Sequence, residues 1–198
     1  NHKTNPNVAD IDEDGLSDGD EINIHKTDPS KIDTDQDGLS DGAEVTVLNT
    51  NPFVRDTDGD GTIDSDEDAD SDSLSNADEL YIHKTDPMVA DSDQDGLSDS
   101  EEINIQKTDP LAPDTDLDSL RDGFEVNVLS TNPLTPDTDG DGLTDNDEVW
   151  THKTNPLKAD TDQDGLSDGE ELALKTNASL ADTDKDGIAD GNELKTHK

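Results

Sequence analysis

The chain has no cysteine, and its 198 residues include only two phenylalanines, one tyrosine and one tryptophan. Disulfides, thiolate metal centres and cysteine nucleophiles are thereby excluded. Large apolar residues are also scarce: Leu, Ile, Val and Phe together make up about 19 % of the sequence. At that level an ordinary hydrophobic core cannot form. No apolar run exceeds a few residues, so nothing in the sequence spans a bilayer. Positive charge is rare too, with 13 Lys and Arg against 54 Asp and Glu and a net −41 at pH 7. Such a field repels phosphate backbones and anionic lipid, which argues against nucleic acid and membrane insertion. No basic, signal-like segment opens the chain, which begins mid-pattern at Asn-His-Lys-Thr. Composition alone predicts disorder.

What the sequence does have is a repeat. The frame D-x-D-x-D-[GS]-x-x-[DN]-x-x-E occurs nine times, spanning 10–21, 33–44, 56–67, 68–79, 91–102, 114–125, 137–148, 160–171 and 182–193. Successive frames start 23 residues apart, except for a 12-residue step between the third and fourth and a 22-residue step before the last. Between frames runs a connector, His-Lys-Thr-Asn-Pro at 2–6, His-Lys-Thr-Asp-Pro at 25–29 and 83–87, and Leu-Ser-Thr-Asn-Pro at 129–133. Of the 54 acidic residues, 44 fall in register within the frames. A solvating coat of charge has no reason to keep such spacing, so the acids are placed for a task.

Carboxylates at alternate positions, closed by a glutamate at the twelfth, have the ligand spacing of a calcium loop. Position one is Asp10, Asp33, Asp56, Asp68, Asp91, Asp114, Asp137, Asp160 and Asp182. Position three is Asp12, Asp35, Asp58, Asp70, Asp93, Asp116, Asp139, Asp162 and Asp184. Position five is Asp14, Asp37, Asp60, Asp72, Asp95, Asp118, Asp141, Asp164 and Asp186. Position seven, through its main-chain carbonyl, is Leu16, Leu39, Thr62, Leu74, Leu97, Leu120, Leu143, Leu166 and Ile188. Position nine is Asp18, Asp41, Asp64, Asn76, Asp99, Asp122, Asp145, Asp168 and Asp190. The closing residue is Glu21, Glu44, Glu67, Glu79, Glu102, Glu125, Glu148, Glu171 or Glu193. Position six, where the chain turns sharply, is glycine in seven loops and serine at Ser73 and Ser119. Many hard oxygen donors suit Ca²⁺, whereas Mg²⁺ prefers fewer carboxylates and retained water. About nine Ca²⁺ per chain, or more, is the expected load.

In eight loops the apolar residue stands at position seven, and a proline-containing connector, not a helix, precedes each spaced loop but the last, where Ala178 replaces the proline. This resembles the thrombospondin type 3 repeat in its cysteine-free bacterial form. The stretch Asp182-Thr-Asp-Lys-Asp-Gly-Ile-Ala-Asp-Gly-Asn-Glu193 is also similar to the calcium loop of bacterial binary-toxin translocation components. The resemblance implies a calcium-loaded, mostly irregular chain wound around its ions and serving as an extracellular linker or stalk. Animal members carry disulfides that this chain lacks. With frames back to back at 56–79, the stretch 56–90 resembles their longer repeat type, and a local kink or a closer pair of ions is expected there.

The fold class expected is an elongated tandem array with little or no sheet, in one domain over 1–198 that is a segment of a longer protein. Each loop is followed by a short helix from about position nine, as in Ser167-Asp-Gly-Glu-Glu-Leu, and by a Thr-[Asn/Asp]-Pro turn that ends it. The competing reading is a short extended stretch at Val45-Thr-Val47 and Val126-Asn-Val128. Apolar groups such as Leu16, Ile22 and Ile24, or Leu97, Ile103 and Ile105, are too few for one repeat to bury alone, so neighbours must stack. His2, His25, His83, His152 and His197 sit in or beside connectors, and are read as cations at helix C-termini, not as zinc ligands. The frames share one carboxylate pattern, and no phosphate loop or nucleophile elbow appears, so no enzyme is expected.

The functional expectation is a calcium-rigidified spacer, stalk or filament segment of a prokaryotic surface or secreted protein, outside the cell where calcium is plentiful. Its partners would be calcium ions and other copies of itself in a fibre or stalk. The alternative is an adhesin or ligand-binding module, with 56–90, Phe53 and Tyr81 as the candidate surface; calcium storage or mineral contact comes third.

Overall fold

The computed structural model describes Asn5 and residues 7–196, with side chains described as far as Glu193. His2, Lys3, Thr4 and Pro6 of the first connector, and His197, lie outside the described residues. Among the described residues there is no β-strand. Val45–Val47 and Val126–Val128, which could have been extended, lie inside helical turns.

Each helix begins at loop position nine. Asp18–Asp20, Asp41–Ala43, Asp99–Glu101, Asp122–Phe124 and Asp145–Asp147 are single α-turns that pass directly into five-residue π-helical turns, the first of them Glu21–His25 and the last Glu148–His152. Loop 68–79 leads into a π-helical Asp78–His83, while Asp168–Leu174 and Asp190–Thr196 are α-helical throughout. Loop 56–67 has no helix, because Asp68 starts the next frame at once. The entry is set by the hydroxyl at position eight: Ser17 accepts the N–H of Asp20, Ser40 that of Ala43 and Thr144 that of Asp147. At Ser167 and Glu170 the reciprocal capping box is complete.

The exit is a residue in the left-handed region, such as Lys26 at φ 70° or Lys153 at φ 63°, whose N–H reaches the carbonyl of the glutamate five residues back. His25, His83 and His152 occupy the last turns as expected. The bonds to the orphan carbonyls come from the next residue, since Lys26 Nζ donates to Ile22 and Asn23 at 3.1 and 2.7 Å.

What is buried is unusual. Leu16, Leu39, Leu74, Leu97, Leu120 and Leu143, all at position seven, are the buried aliphatic side chains among the described residues. Ile24 and Ile105 stand 64 % and 68 % exposed while Ile22 and Ile103 are half-buried, so the expectation that all four share the core is corrected for Ile24 and Ile105: the helix lays its carboxylate inward instead. Around the leucines lie buried prolines (Pro29, Pro52, Pro87, Pro133, Pro156), connector threonines and, above all, carboxylates.

Internal contacts divide the chain into two units. One runs to Ser92 and includes Ser98–Ser100; the other comprises Asp93–Leu97 and everything from Glu101. In the first unit Gly42 donates its N–H to Asp14 Oδ2 at 3.2 Å, across one repeat. Gly42 stands so close that a Cβ there would lie 2.1 Å from the Asp14 carbonyl oxygen. The paired frames use different contacts. Ser65 Oγ donates to the Asp37 carbonyl, Asn76 Nδ2 donates to the Asp64 carbonyl at 2.8 Å, and Ala77 N–H donates to the Ser65 carbonyl. Asparagine at 76 is thereby explained, since an ionised aspartate has no proton to donate to a carbonyl. The hydroxyl oxygen of Tyr81 accepts the N–H of Ser40, 41 positions back.

In the second unit the simple pattern recurs: Gly123 N–H to Asp95, Asn146 N–H to Asp118, Gly169 N–H to Asp141 and Gly191 N–H to Asp164. Phe124 and Trp150, from successive repeats, stack at 6.3 Å with 19° between planes, and Lys153 Nζ lies 5.5 Å from the Trp150 ring.

Candidate metal centres

Each loop is wound by its own aspartates. The position-one carboxylate accepts the N–H groups of positions four and six, for example Gln36 and Gly38 on Asp33 at 2.6 and 3.1 Å. Position three accepts from position five, and position five from position seven, as in Asp37 on Asp35 and Leu39 on Asp37. Such a winding needs left-handed backbone at positions four and six. Ser73 and Ser119 adopt it at φ 86° and 83° where other loops use glycine at 100–110°. The result converges oxygen atoms. Carboxylates of Asp10, Asp12 and Asp14 come within 4.8 Å of one another, as do those of Asp33, Asp35 and Asp37 and of Asp68, Asp70 and Asp72. In the helix-free loop Asp56, Asp58, Asp60 and Glu67 converge in the same way.

Outside loop 56–67, the closing glutamates lie in the helical segment entered at each loop's end. Glu21, Glu44, Glu79, Glu125, Glu148 and Glu171 are fully buried, and in each Oε2 lacks a hydrogen-bond donor. The Oδ2 atoms of Asp35, Asp70, Asp116, Asp139 and Asp162 are likewise buried and unpaired. A buried carboxylate oxygen without a donor is costly, and several facing one another are costlier still. Loss of water, followed by neighbouring aspartates, pushes Glu44, Glu125 and Glu148 up to about 8, and Glu21, Glu79 and Glu171 to about 7. Asp70, Asp116 and Asp139 rise to about 6, again chiefly through burial. A divalent cation is the group that relieves all of this at once, and an all-oxygen donor set fits calcium.

The bacterial TSP3 repeat family matches residues 10–32, 33–54, 91–113, 137–159 and 160–177, more than half of the chain. The chain belongs to the bacterial TSP3 repeat family. Its repeats are therefore calcium-binding structural repeats. The matched stretches leave out the paired frames, the Ser119 loop and the last loop, the places where spacing or position six departs from the pattern. No curated protein matches the chain. Among solved structures, "Biofilm associated protein - B domain" is 44 % identical over 23 % of this chain and 11 % of its own, with a TM-score of 0.23. "Biofilm associated protein - BSP domain" is 43 % identical over 22 % of this chain and 8 % of its own, at 0.22. The chain thus spans about a tenth of the length of these structures.

Position nine behaves differently from the other acids of the TSP3 loop. Its two oxygens take the N–H and the hydroxyl of position two: Thr34 on Asp41 at 2.8 and 2.7 Å, Thr138 on Asp145 at 2.9 and 2.7 Å. It also reaches backward, since Asp41 lies with Asp14 and Glu21 of the preceding repeat, their carboxylates within 4.8 Å. Asp122 and Asp145 feel the charges of Asp95 and Asp118 in the same sense, after burial itself. Loop 91–102 falls on the division between the units.

Two sets of hydroxyls in these TSP3 repeats carry no signal in the ligand spacing. One is the Thr or Ser at position two. The other is the connector threonine, which donates to the closing glutamate: Thr27 to Glu21 Oε1 at 3.2 Å, Thr85 to Glu79 at 3.3 Å, Thr131 to Glu125 at 3.1 Å. The sequence could have flagged both, because threonine recurs in every connector and at position two in six of the nine loops.

Proposed function

We propose that the chain is a calcium-ordered spacer or stalk segment of a prokaryotic surface or secreted protein, non-enzymatic, holding about nine ions in one continuous array. Each ion would be held by positions one, three and five, the position-seven carbonyl and the closing glutamate, with position nine supporting. What carries the reading is the core: buried glutamates whose Oε2 atoms lack a donor, in six of the loops, beside six buried position-seven leucines. A chain built this way gains its folding free energy from the cations it binds. Loops of modest affinity fill at the millimolar calcium found outside cells and stay empty at cytosolic levels. That supports a location outside the cytoplasm. Among the described residues no helix is long and apolar enough to cross a membrane. The repeated carboxylate loops suit a bulk mechanical property better than a unique reaction.

The test is a titration of the chelated protein with Ca²⁺, followed by circular dichroism and small-angle scattering, with Mg²⁺ in parallel. Without calcium the radius of gyration should approach the roughly 48 Å of an unfolded chain of this length. Calcium, and not magnesium, should convert it to an ordered, stiff particle at about nine ions per chain. Binding without ordering would sink the stalk and bring calcium storage forward.

A further inference from the structure

We infer that the connector threonine is a positioning residue of the calcium loop before it, holding the closing glutamate by Oε1 so that Oε2 is presented to the ion. The inference rests on the calcium reading of the loops.

The geometry is repeated seven times. Thr27, Thr50, Thr85, Thr108, Thr131, Thr154 and Thr176 each donate to Oε1 of the closing glutamate of their repeat at 3.1 to 3.3 Å. The glutamate so held is buried, and in six of the seven its other oxygen is a buried atom with no donor. One carboxylate therefore has one oxygen tied and one free. An outer hydrogen bond of this kind fixes the orientation of a metal-binding carboxylate.

The helix supplies an independent argument. In the 23-residue repeats the threonine follows the glutamate by six positions, and a π-helical turn lies between them. The repeat starting at Asp160 is one residue shorter. Its helix is α and not π, the separation from Glu171 to Thr176 is five, and the bond is kept at 3.3 Å. Backbone geometry changes between these repeats while the threonine–glutamate contact does not. Loop 56–67, which has no connector after it, has a closing Glu67 that is not buried.

The residue after the threonine extends the same device to the next loop. Asn132 N–H donates to Thr138 Oγ1, whose hydroxyl donates to Asp145 at 2.7 Å. The same relay joins Asn51 to Thr57 and Asp64, and Asn155 to Thr161 and Asp168. Position two of loop 68–79, which no connector precedes, is Ala69 and needs no hydroxyl. Two adjacent connector residues thus hold one carboxylate in each of two successive loops.

Trp150, the only tryptophan, lies two residues after Glu148 and stacks on Phe124 beside Glu125, so its sensitised emission reads loops 137–148 and 114–125. Terbium(III), an oxygen-seeking ion of calcium's size, would be titrated into the full chain and its Trp150-sensitised emission followed, with lifetimes in H₂O and D₂O counting bound waters. Thr154→Val and Thr154→Ala should each weaken the loop 137–148 component of the emission about tenfold and admit an additional water there. Thr154→Ser should restore both, and Thr27→Val should leave the Trp150 signal unchanged. Wild-type midpoint and lifetime in the alanine variant would overturn the inference, as would a serine variant no better than alanine. Should the valine variant lose its helical dichroism at saturating calcium, the alanine and serine pair still decides. Absence of sensitised, calcium-displaceable emission in the wild type would instead defeat the calcium reading itself.

Discussion

A glutamate pushed to about 8 is protonated at neutral pH in a loop that is folded but holds no cation. Glu44, Glu125 and Glu148 are in that position, through burial first and neighbouring aspartates second. Their folded values lie above the ordinary 4.5, so below that value both folded and unfolded states hold the proton and pH has no effect through them. Between 4.5 and about 8 the unfolded chain has released its proton while the folded chain keeps it, so the metal-free fold loses stability as pH rises across this window. Calcium binding reverses the preference, because the bound carboxylate must be ionised. Because the chelated chain should be expanded at pH 7, the response to read is its compaction. Acidification from pH 8 to pH 5 without calcium should shrink the radius of gyration, as followed by small-angle scattering. A radius unchanged across that window would contradict the burial of these carboxylates.

At the scale of the element, the frame spacing was enough to locate every loop, the sixth-position turn and the start of each helix, because those depend on contacts within a dozen residues. Ser17 and Ser167 announce their helices by ordinary capping rules. The π-helical turns were not legible: nothing local in Glu125–Leu129 distinguishes them from α-turns, and their width follows from where Thr131 must arrive. The exposure of Ile24 and Ile105 was equally hidden, since apolar identity says "inside" wherever a core exists, and here carboxylates fill it. The linkage between helix width and threonine position can be tested by deletion. Removing Val128 leaves Glu125 and Thr131 at the spacing seen for Glu171 and Thr176. An α-turn should replace the π-turn, with calcium affinity at that loop unchanged within about twofold. Removing Val128 and Leu129 together takes the hydroxyl out of reach and should cost about tenfold, read by calcium titration with helical dichroism as the control for folding. Equal affinity in the double deletion would mean that helix width serves some other end.

Across the whole molecule, stability is a chain of nearest-neighbour terms. Successive repeats share hydrogen bonds from the backbone of one to the position-five carboxylate of the one before, such as Asn146 to Asp118 and Gly169 to Asp141, and the paired frames and the Phe124–Trp150 stack add contacts of their own. Those carboxylates are also candidate ion ligands, so each loop can order its neighbour only by being filled itself. Nine calcium ions would bring the formal charge from −41 to about −23, relieving much of the repulsion that opposes folding everywhere at once. The two effects predict different responses to a single lesion. Were long-range charge dominant, weakening one site would loosen the array uniformly. With local hydrogen bonds dominant, damage should spread one repeat and stop. Glu148→Gln keeps the size of the side chain and removes its charge. It should raise the calcium needed at loop 137–148 on the order of tenfold, make loops 114–125 and 160–171 easier to open, and leave 10–44 protected. Limited proteolysis at intermediate calcium, with cleavage sites mapped by mass, distinguishes the cases. Cleavage confined to residues 114–171 supports nearest-neighbour coupling, and cleavage appearing equally within 10–44 would show that the summed charge, not the connector and its hydrogen bonds, governs how the array holds together.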